Sequence, residues 1–149
     1  MSVIFRLARR DDVAAIVALL ADDVLGAGRE AAADLDVYLR AFDAVAADPN
    51  NELIVADAGG EVAGTMQLTF IPGLSRSGTL RAQIEAVRVA ADRRGEGLGR
   101  TMIEWGIARA AERGCGLVQL TTDKKRPDAL RFYESLGFTA SHEGLKLAL

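Results

Sequence analysis

Hydrophobic residues recur along this chain at two spacings, every second position or every third to fourth, and each change of spacing marks a new element. In residues 2–8, Val3, Phe5 and Leu7 alternate with Ile4 and Arg6, which predicts a strand. Asp11 or Asp12 then offers a side-chain cap to a helix over 13–20 with Val13, Ile16, Val17 and Leu20 on one face, and Gly26 and Gly28 break it. A second helix begins near Asp34, buries a stripe of Leu35, Leu39, Phe42 and Val45, and stops short of Pro49. Residues 52–57 and 61–71 read as two strands joined through Gly59-Gly60, a pair suited to a two-residue hairpin turn.

Residues 72–78 are rich in Pro, Gly and Ser and predict a loop, a candidate lip for an acceptor. The strand over 79–89 follows, then a helix over 98–113 whose apolar positions cover most of its circumference, so it must be packed on a sheet and largely enclosed. Gly114-Cys115-Gly116 ends that helix before a short apolar strand over 117–122. Strand, helix and strand at this spacing predict a right-handed crossover between parallel neighbours. Pro127 suits the first turn of another helix, Gly137 suits its left-handed end with Phe138 closing over the last turn, and 138–149 predicts a final strand. The order is β-α-α-β-β-β-α-β-α-β, a mixed α/β sheet flanked by about four helices.

With 149 residues, 50% hydrophobic and 26% charged, the chain suits one soluble domain over residues 1–149. No apolar run reaches the ~18 residues of a membrane helix, so no membrane partner is expected and a cytoplasmic location is the default. Cys115 is the only cysteine, which leaves no internal disulfide and no cysteine-based metal site; no metal is expected. The net charge of −3 is unevenly spread. Residues 1–60 hold eleven acids against five arginines, and 61–149 hold ten acids against thirteen basic residues. An acidic first part suits a cationic amine and a basic second part suits a phosphorylated cofactor; ordinary solvated faces are the plain alternative.

The chemistry centres on 87–101, which reads as a strand end, a glycine-rich turn and a helix start. Gly95, Gly97 and Gly99 free the backbone for positive φ and close approach, and the helix adds unpaired amides and its positive dipole end, so the stretch predicts an anion cradle. A nucleoside-triphosphate loop is excluded because no lysine follows these glycines. A dinucleotide fingerprint fails because its third glycine would fall at Arg100.

Arg94, Gly97 and Gly99 instead form Arg-x-x-Gly-x-Gly after the alternating Val87 and Val89, and residues 129–138 form Ala-x-x-Phe-Tyr-x-x-x-Gly-Phe. Together they resemble the two motifs of the GNAT superfamily of acyl-CoA-dependent N-acyltransferases. The resemblance implies a GNAT-type fold with a central sheet of about six to seven strands, and a bulge that splays the central strand from its parallel neighbour. It implies acetyl-CoA as acyl donor, bound by Val87, Arg88, Val89, Arg94, Gly95, Glu96, Gly97, Leu98, Gly99, Arg100, Arg126 and Phe132, and a primary amine as acceptor, its pocket shaped by the first two helices. Many relatives carry Asn three residues before the motif's alanine; this chain has Arg126 there, to replace that contact or to bind phosphate. Lys124, Lys125 and Arg126 suit either the ribose phosphate or a solvated loop.

The resemblance also makes Tyr133 the general acid for the departing thiolate; the other reading is a tyrosine packed beside Phe132 with its hydroxyl bonded to backbone or water. Glu85, two residues before Val87 on the same face of the strand, is the candidate base, or else a surface carboxylate paired with an arginine. His142 reads as structural, and with Cys115 it lacks the third group of a nucleophile pair. An N-acetyltransferase working by direct attack in a ternary complex is the leading reading. The alternative is an acyl-CoA-binding sensor without turnover. A nucleic-acid partner is disfavoured by the absence of a concentrated basic helix face, and a homodimer is the default oligomer.

Overall fold

The computed structural model describes residues 2–23, 25–30 and 34–149. Its five strands, β1 (Ile4–Leu7), β2 (Asn51–Ala58), β3 (Glu61–Ile71), β4 (Arg81–Val89) and β5 (Leu117–Gln119), lie side by side in chain order. The first three pairings are antiparallel and β4 to β5 is parallel. A two-residue hairpin turn joins β2 to β3 and the loop over 72–80 joins β3 to β4, whereas the parallel pair requires the crossover helix α4 (Leu98–Glu112). Gly59 and Gly60 both adopt positive φ, the condition for the tight two-residue turn.

Alternation along β2 and β3 gives each face its own core. Ile54, Ala56, Met66, Leu68, Phe70, Ala82 and Ile84 face α4, where Met102, Ile103 and Ala110 are also buried. Gly106 lets α4 approach the sheet: a Cβ there would stand 3.3 Å from Met66 Cε and 3.5 Å from Ile84. Each large side chain so enclosed contributes about 1.5–3 kcal/mol. On the opposite face α1 (Val13–Ala21) covers β3 and β4 with Val13, Ile16 and Val17, and α2 (Leu35–Ala47) covers β2. The buried hydroxyl of Thr65 donates to the Ile54 carbonyl at 2.9 Å, so the hydrophobic layer keeps no unpaired polar group there.

Two helices end as expected from the glycines that follow them. After α5 (Pro127–Ser135), Gly137 N donates to Glu134 O at 3.0 Å and Phe138 N to Tyr133 O at 3.2 Å, with the Phe138 and Tyr133 rings 5.9 Å apart. Gly114 and Cys115 repeat the pattern on α4.

Three expectations are corrected. Asp12 does not cap α1; its carboxylate accepts from Arg9 N and the Arg6 guanidinium instead, behind a short 3-10 turn at Arg10–Asp12. The loop at 72–78 includes a single turn, α3 (Ser75–Gly78), with Arg76 and Ser77 left-handed. Residues 138–149 form no strand: 139–149 are exposed throughout, so the sheet has five strands among the described residues rather than six or seven. Alternation specifies a face, but a strand also needs a neighbouring edge. No helix among the described residues is long and apolar enough to cross a membrane.

Candidate active site

The site begins at an irregularity in β4. Gln67 faces Glu85 and Thr65 faces Arg88 across the antiparallel pair, so two residues of β3 span three of β4, and Ala86 takes up the excess at φ 54°. The bulge swaps the parity of the strand. Glu85 and Arg88 share the face of Thr65, while Val87 and Val89 turn to the α4 side and pack on the Met66 cluster. Glu85 therefore lies on the face opposite Val87, which corrects the expectation that the two share one.

The same segment loses its parallel neighbour. β4 and β5 pair only at Arg81, Ala82 and Gln83, so the main chain from Ile84 to Val89 presents an open edge. That edge, the end of α1 and the start of α5 enclose a groove of about 530 Å³, lined by Val87, Arg88, Val89, Arg94 and Arg126 together with Ala21, Asp22, Asp23 and Ala27. The 72–78 loop leads into the opposite end of β4 and lines none of it.

At the mouth of the groove the glycine-rich turn leads into α4. Gly95 and Gly97 take φ of 83° and 81°, whereas Gly99 is an ordinary helical residue whose missing Cβ would point at Phe132 and Val89, each 3.8 Å away. Gly99 thus seats α4 between β4 and α5 and is not one of the positive-φ residues of the turn; Phe132 packs there too. No side chain caps α4, and among the described residues the amides of Gly95, Glu96, Gly97, Leu98, Gly99 and Arg100 have no hydrogen-bond partner. Uncapped amides at the head of a fifteen-residue helix fit a diphosphate. Arg94 Nε donates to Val89 O at 3.3 Å and Nη2 to Asp22 O at 3.2 Å, fastening the turn to β4 and α1. Arg100 bonds Ser135 and Glu104, joining α4 to α5. Glu96 and Leu98 flank the turn, Glu96 exposed and Leu98 packed on the core.

Asp23 is the residue the sequence reading missed. Its carboxylate accepts both Nη atoms of Arg126 at 2.8 and 2.5 Å and a Gly26 amide at 3.0 Å, and lies 3.7 Å from Arg88 Nη2. The Arg126 hydrogen bonds hold its carboxyl well below the usual range. The uneven charge of the two parts of the chain was the available signal, but it read as two faces for two ligands; here the acidic part meets the basic part inside one groove. Arg126 stands in the groove, not in an outer phosphate loop, while Lys124 pairs with Glu143. Arg88 is largely enclosed. One Nη donates to the Val87 carbonyl at 2.9 Å, its Nε is buried without an acceptor among the described residues, and burial lowers its pKa.

Tyr133 is half-buried between Phe132 and Phe138, with ring centroids 5.1 and 5.9 Å away. Burial pushes its hydroxyl above the ordinary tyrosine value, against the opposing pull of Arg88 and Arg126, so it is a neutral donor at pH 7. Tyr133 lies on α5, whose first residue follows the groove residue Arg126, and is not itself among the residues that line the groove. His142 is exposed beside Ser141, and Cys115 sits at the end of α4 with its thiol pushed up by burial, so the two form no reactive pair. Among the described residues no three His, Cys, Asp or Glu side chains gather to hold a metal ion.

Residues 10–138 match the sequence profile described as the Acetyltransferase (GNAT) family. The aminoalkylphosphonate N-acetyltransferase of Salmonella typhimurium is 31% identical over 109 residues, covering 73% of this chain and 70% of that protein. Glucosamine 6-phosphate N-acetyltransferase of Trypanosoma brucei brucei is 34% identical over 90 residues, 60% of this chain and 59% of its own. A solved structure described as a transcriptional regulator from Bacillus halodurans C-125 is 53% identical with a TM-score of 0.96, covering 99% of this chain and 100% of that one.

Proposed function

The chain belongs to the GNAT family of acetyltransferases, and from that premise we propose that residues 1–149 form one N-acetyltransferase domain that moves an acetyl group from acetyl-CoA to a small primary amine. The observation that carries the reading is the pairing of an unpartnered β4 edge with uncapped amides at the head of α4. The amides of residues 95–100 hold the diphosphate, and the main chain of Val87 to Val89 pairs with the amide groups of the pantetheine arm. Acetyl-CoA supplies the activated acyl carbon.

The amine nitrogen attacks that carbon directly, forming the C–N bond as the C–S bond breaks. Tyr133 donates its proton to the departing sulfur. Glu85, on the face it shares with Arg88, takes the amine's proton through water. Arg88 and Arg126 against the single carboxylate of Asp23 leave this part of the groove net positive, which favours an amine that also bears a phosphonate, phosphate or carboxylate. Two relatives whose names specify a phosphonate-bearing and a phosphate-bearing amine support the same class.

A second reading, an acyl-CoA sensor without turnover, is favoured by the relative described as a transcriptional regulator. Thiol release from acetyl-CoA across aminoalkylphosphonates, amino sugar phosphates, polyamines and peptide amino termini separates the two. Release with an anionic amine is the expected result. Coenzyme A binding with no release for any amine would replace the enzyme by the sensor.

A further inference from the structure

On the sheet face turned away from α4, Asn51, Thr69, Gln83 and Gln119 stand in one row across four strands, and Gln67 and Glu85 stand in the next. The four side-chain amides are half-buried, and their hydrogen bonds run in a fixed direction. Arg81, at one end, has only donors. Its Nη1 donates to Gln119 Oε1 at 3.1 Å, which turns Gln119 Nε2 to donate to Gln83 Oε1 at 3.0 Å. Gln83 keeps Nε2, a donor with no acceptor among the described residues.

The other end is set by the carboxylate of Asp48, which only accepts. Asn51 Nδ2 donates to its Oδ2 at 2.9 Å, so Asn51 Oδ1 accepts from Thr69 Oγ1 at 2.7 Å and from Gln67 Nε2 at 3.1 Å. Gln67 keeps Oε1, an acceptor with no donor among the described residues. Two charged residues thus polarise two runs of amides from opposite sides. The runs meet at an unused donor and an unused acceptor, one diagonal step apart on neighbouring strands. Both atoms are open to solvent, since Arg88 Nε alone is buried without a partner among the described residues.

A group that donates and accepts satisfies both atoms at once, and a hydroxyl is the smallest that does so. An ammonium only donates, and an ionised phosphate oxygen only accepts. Glu85 stands opposite Gln67, between Gln83 and Arg88 along β4, and β4 parts from β5 just after the rung of Gln83 and Gln119.

We propose, resting on the transferase reading above, that Gln83 and Gln67 seat a hydroxyl of the acceptor. The substrate is then a hydroxylated amine whose nitrogen lies at Glu85, between that hydroxyl and an anionic group held at Arg88 and Arg126. Arg81, Gln119, Asn51 and Asp48 are positioning residues that fix which atom each glutamine presents.

Two amines that differ by one hydroxyl, serinol phosphate and 2-aminopropyl phosphate, test it through thiol release from acetyl-CoA. In the wild type, kcat/KM for serinol phosphate should be higher by about tenfold, and Gln83→Leu or Gln67→Leu should bring the ratio to within about twofold of unity. Arg81→Met should lower the ratio too, and Arg81→Lys, which keeps a donor, should restore it. If a variant does not fold, heteronuclear spectra of the wild type with coenzyme A decide: serinol phosphate should shift the side-chain amide signals of Gln83 and Gln67 further than 2-aminopropyl phosphate does. Equal kcat/KM for the two amines, a ratio that survives both leucine substitutions, or equal shifts of the two signals would each overturn the hydroxyl seat. Thiol release with neither amine would count against the transferase reading instead, and the amide signals would then judge the seat alone.

Discussion

Asp23 and Arg126 meet as a forked pair, Nη1 donating to Oδ1 at 2.8 Å and Nη2 to Oδ2 at 2.5 Å, and so tie the end of α1 to the start of α5 across 103 positions of sequence. Because both side chains are mostly enclosed, removing one leaves the other, and Arg88 beside it, without its counter-charge. Asp23→Asn is expected to cost about 2 kcal/mol, seen as a fall in Tm of roughly 4–8 °C. An unchanged Tm would show that the pair contributes nothing net.

The same carboxylate gives a pH signature. Its folded pKa is depressed by Arg126, so its contribution is complete above the unfolded value near ~3.9 and is lost as pH falls from there through the lower folded value. Urea midpoints followed from pH 7 into acid should therefore decline less steeply for Asp23→Asn than for the wild type below pH of about 4. Equal slopes would remove Asp23 from the acid transition.

Tyr133 should act through its proton. Tyr133→Phe keeps the ring packing against Phe132 and Phe138, so coenzyme A affinity should hold while kcat falls about 10²-fold. Its raised pKa adds a second readout: the phenolate absorbance assigned to Tyr133 should appear only above pH of about 10. An unchanged kcat would remove it as the acid.

Gly97→Trp places a large side chain on a backbone at φ 81° beside the uncapped amides, and is expected to weaken coenzyme A binding at least about tenfold by calorimetry. Arg94→Glu should weaken it as well and also lower Tm, because Arg94 fastens the turn to Val89 and Asp22. Full affinity in both would overturn the cradle.

Ala86 holds a left-handed conformation that an L residue adopts at a cost. Ala86→Gly should therefore raise stability by about 0.5–1 kcal/mol with the bulge retained, and Ala86→Val should lower it by about 1–2 kcal/mol. Urea midpoints check both. A loss with glycine would mean that the bulge is not strained.

Much of this architecture was legible because it is local. The rhythm of Val13, Ile16 and Val17, the Gly59-Gly60 turn, Pro127 at a helix start and Gly137 at its end each act through a few neighbouring residues, and each appears where the pattern placed it. The glycine-rich turn before α4 was legible for the same reason, although Gly99 also serves packing. Less visible was the extra residue at Ala86. A bulge depends on the register of two strands, and without it the alternation assigned Glu85 to the wrong face.

By itself, the order of residues determined the four long helices α1, α2, α4 and α5, the five strands, the glycine turn and the family, since propensity, period and motif are properties of neighbours in the chain. Only the tertiary structure decided that Asp23 would meet Arg126, that β4 would part from β5 after Gln83, and that the final alternating segment would find no edge. Those outcomes depend on which distant surfaces come together when the sheet forms, and no local rule of spacing carries that information.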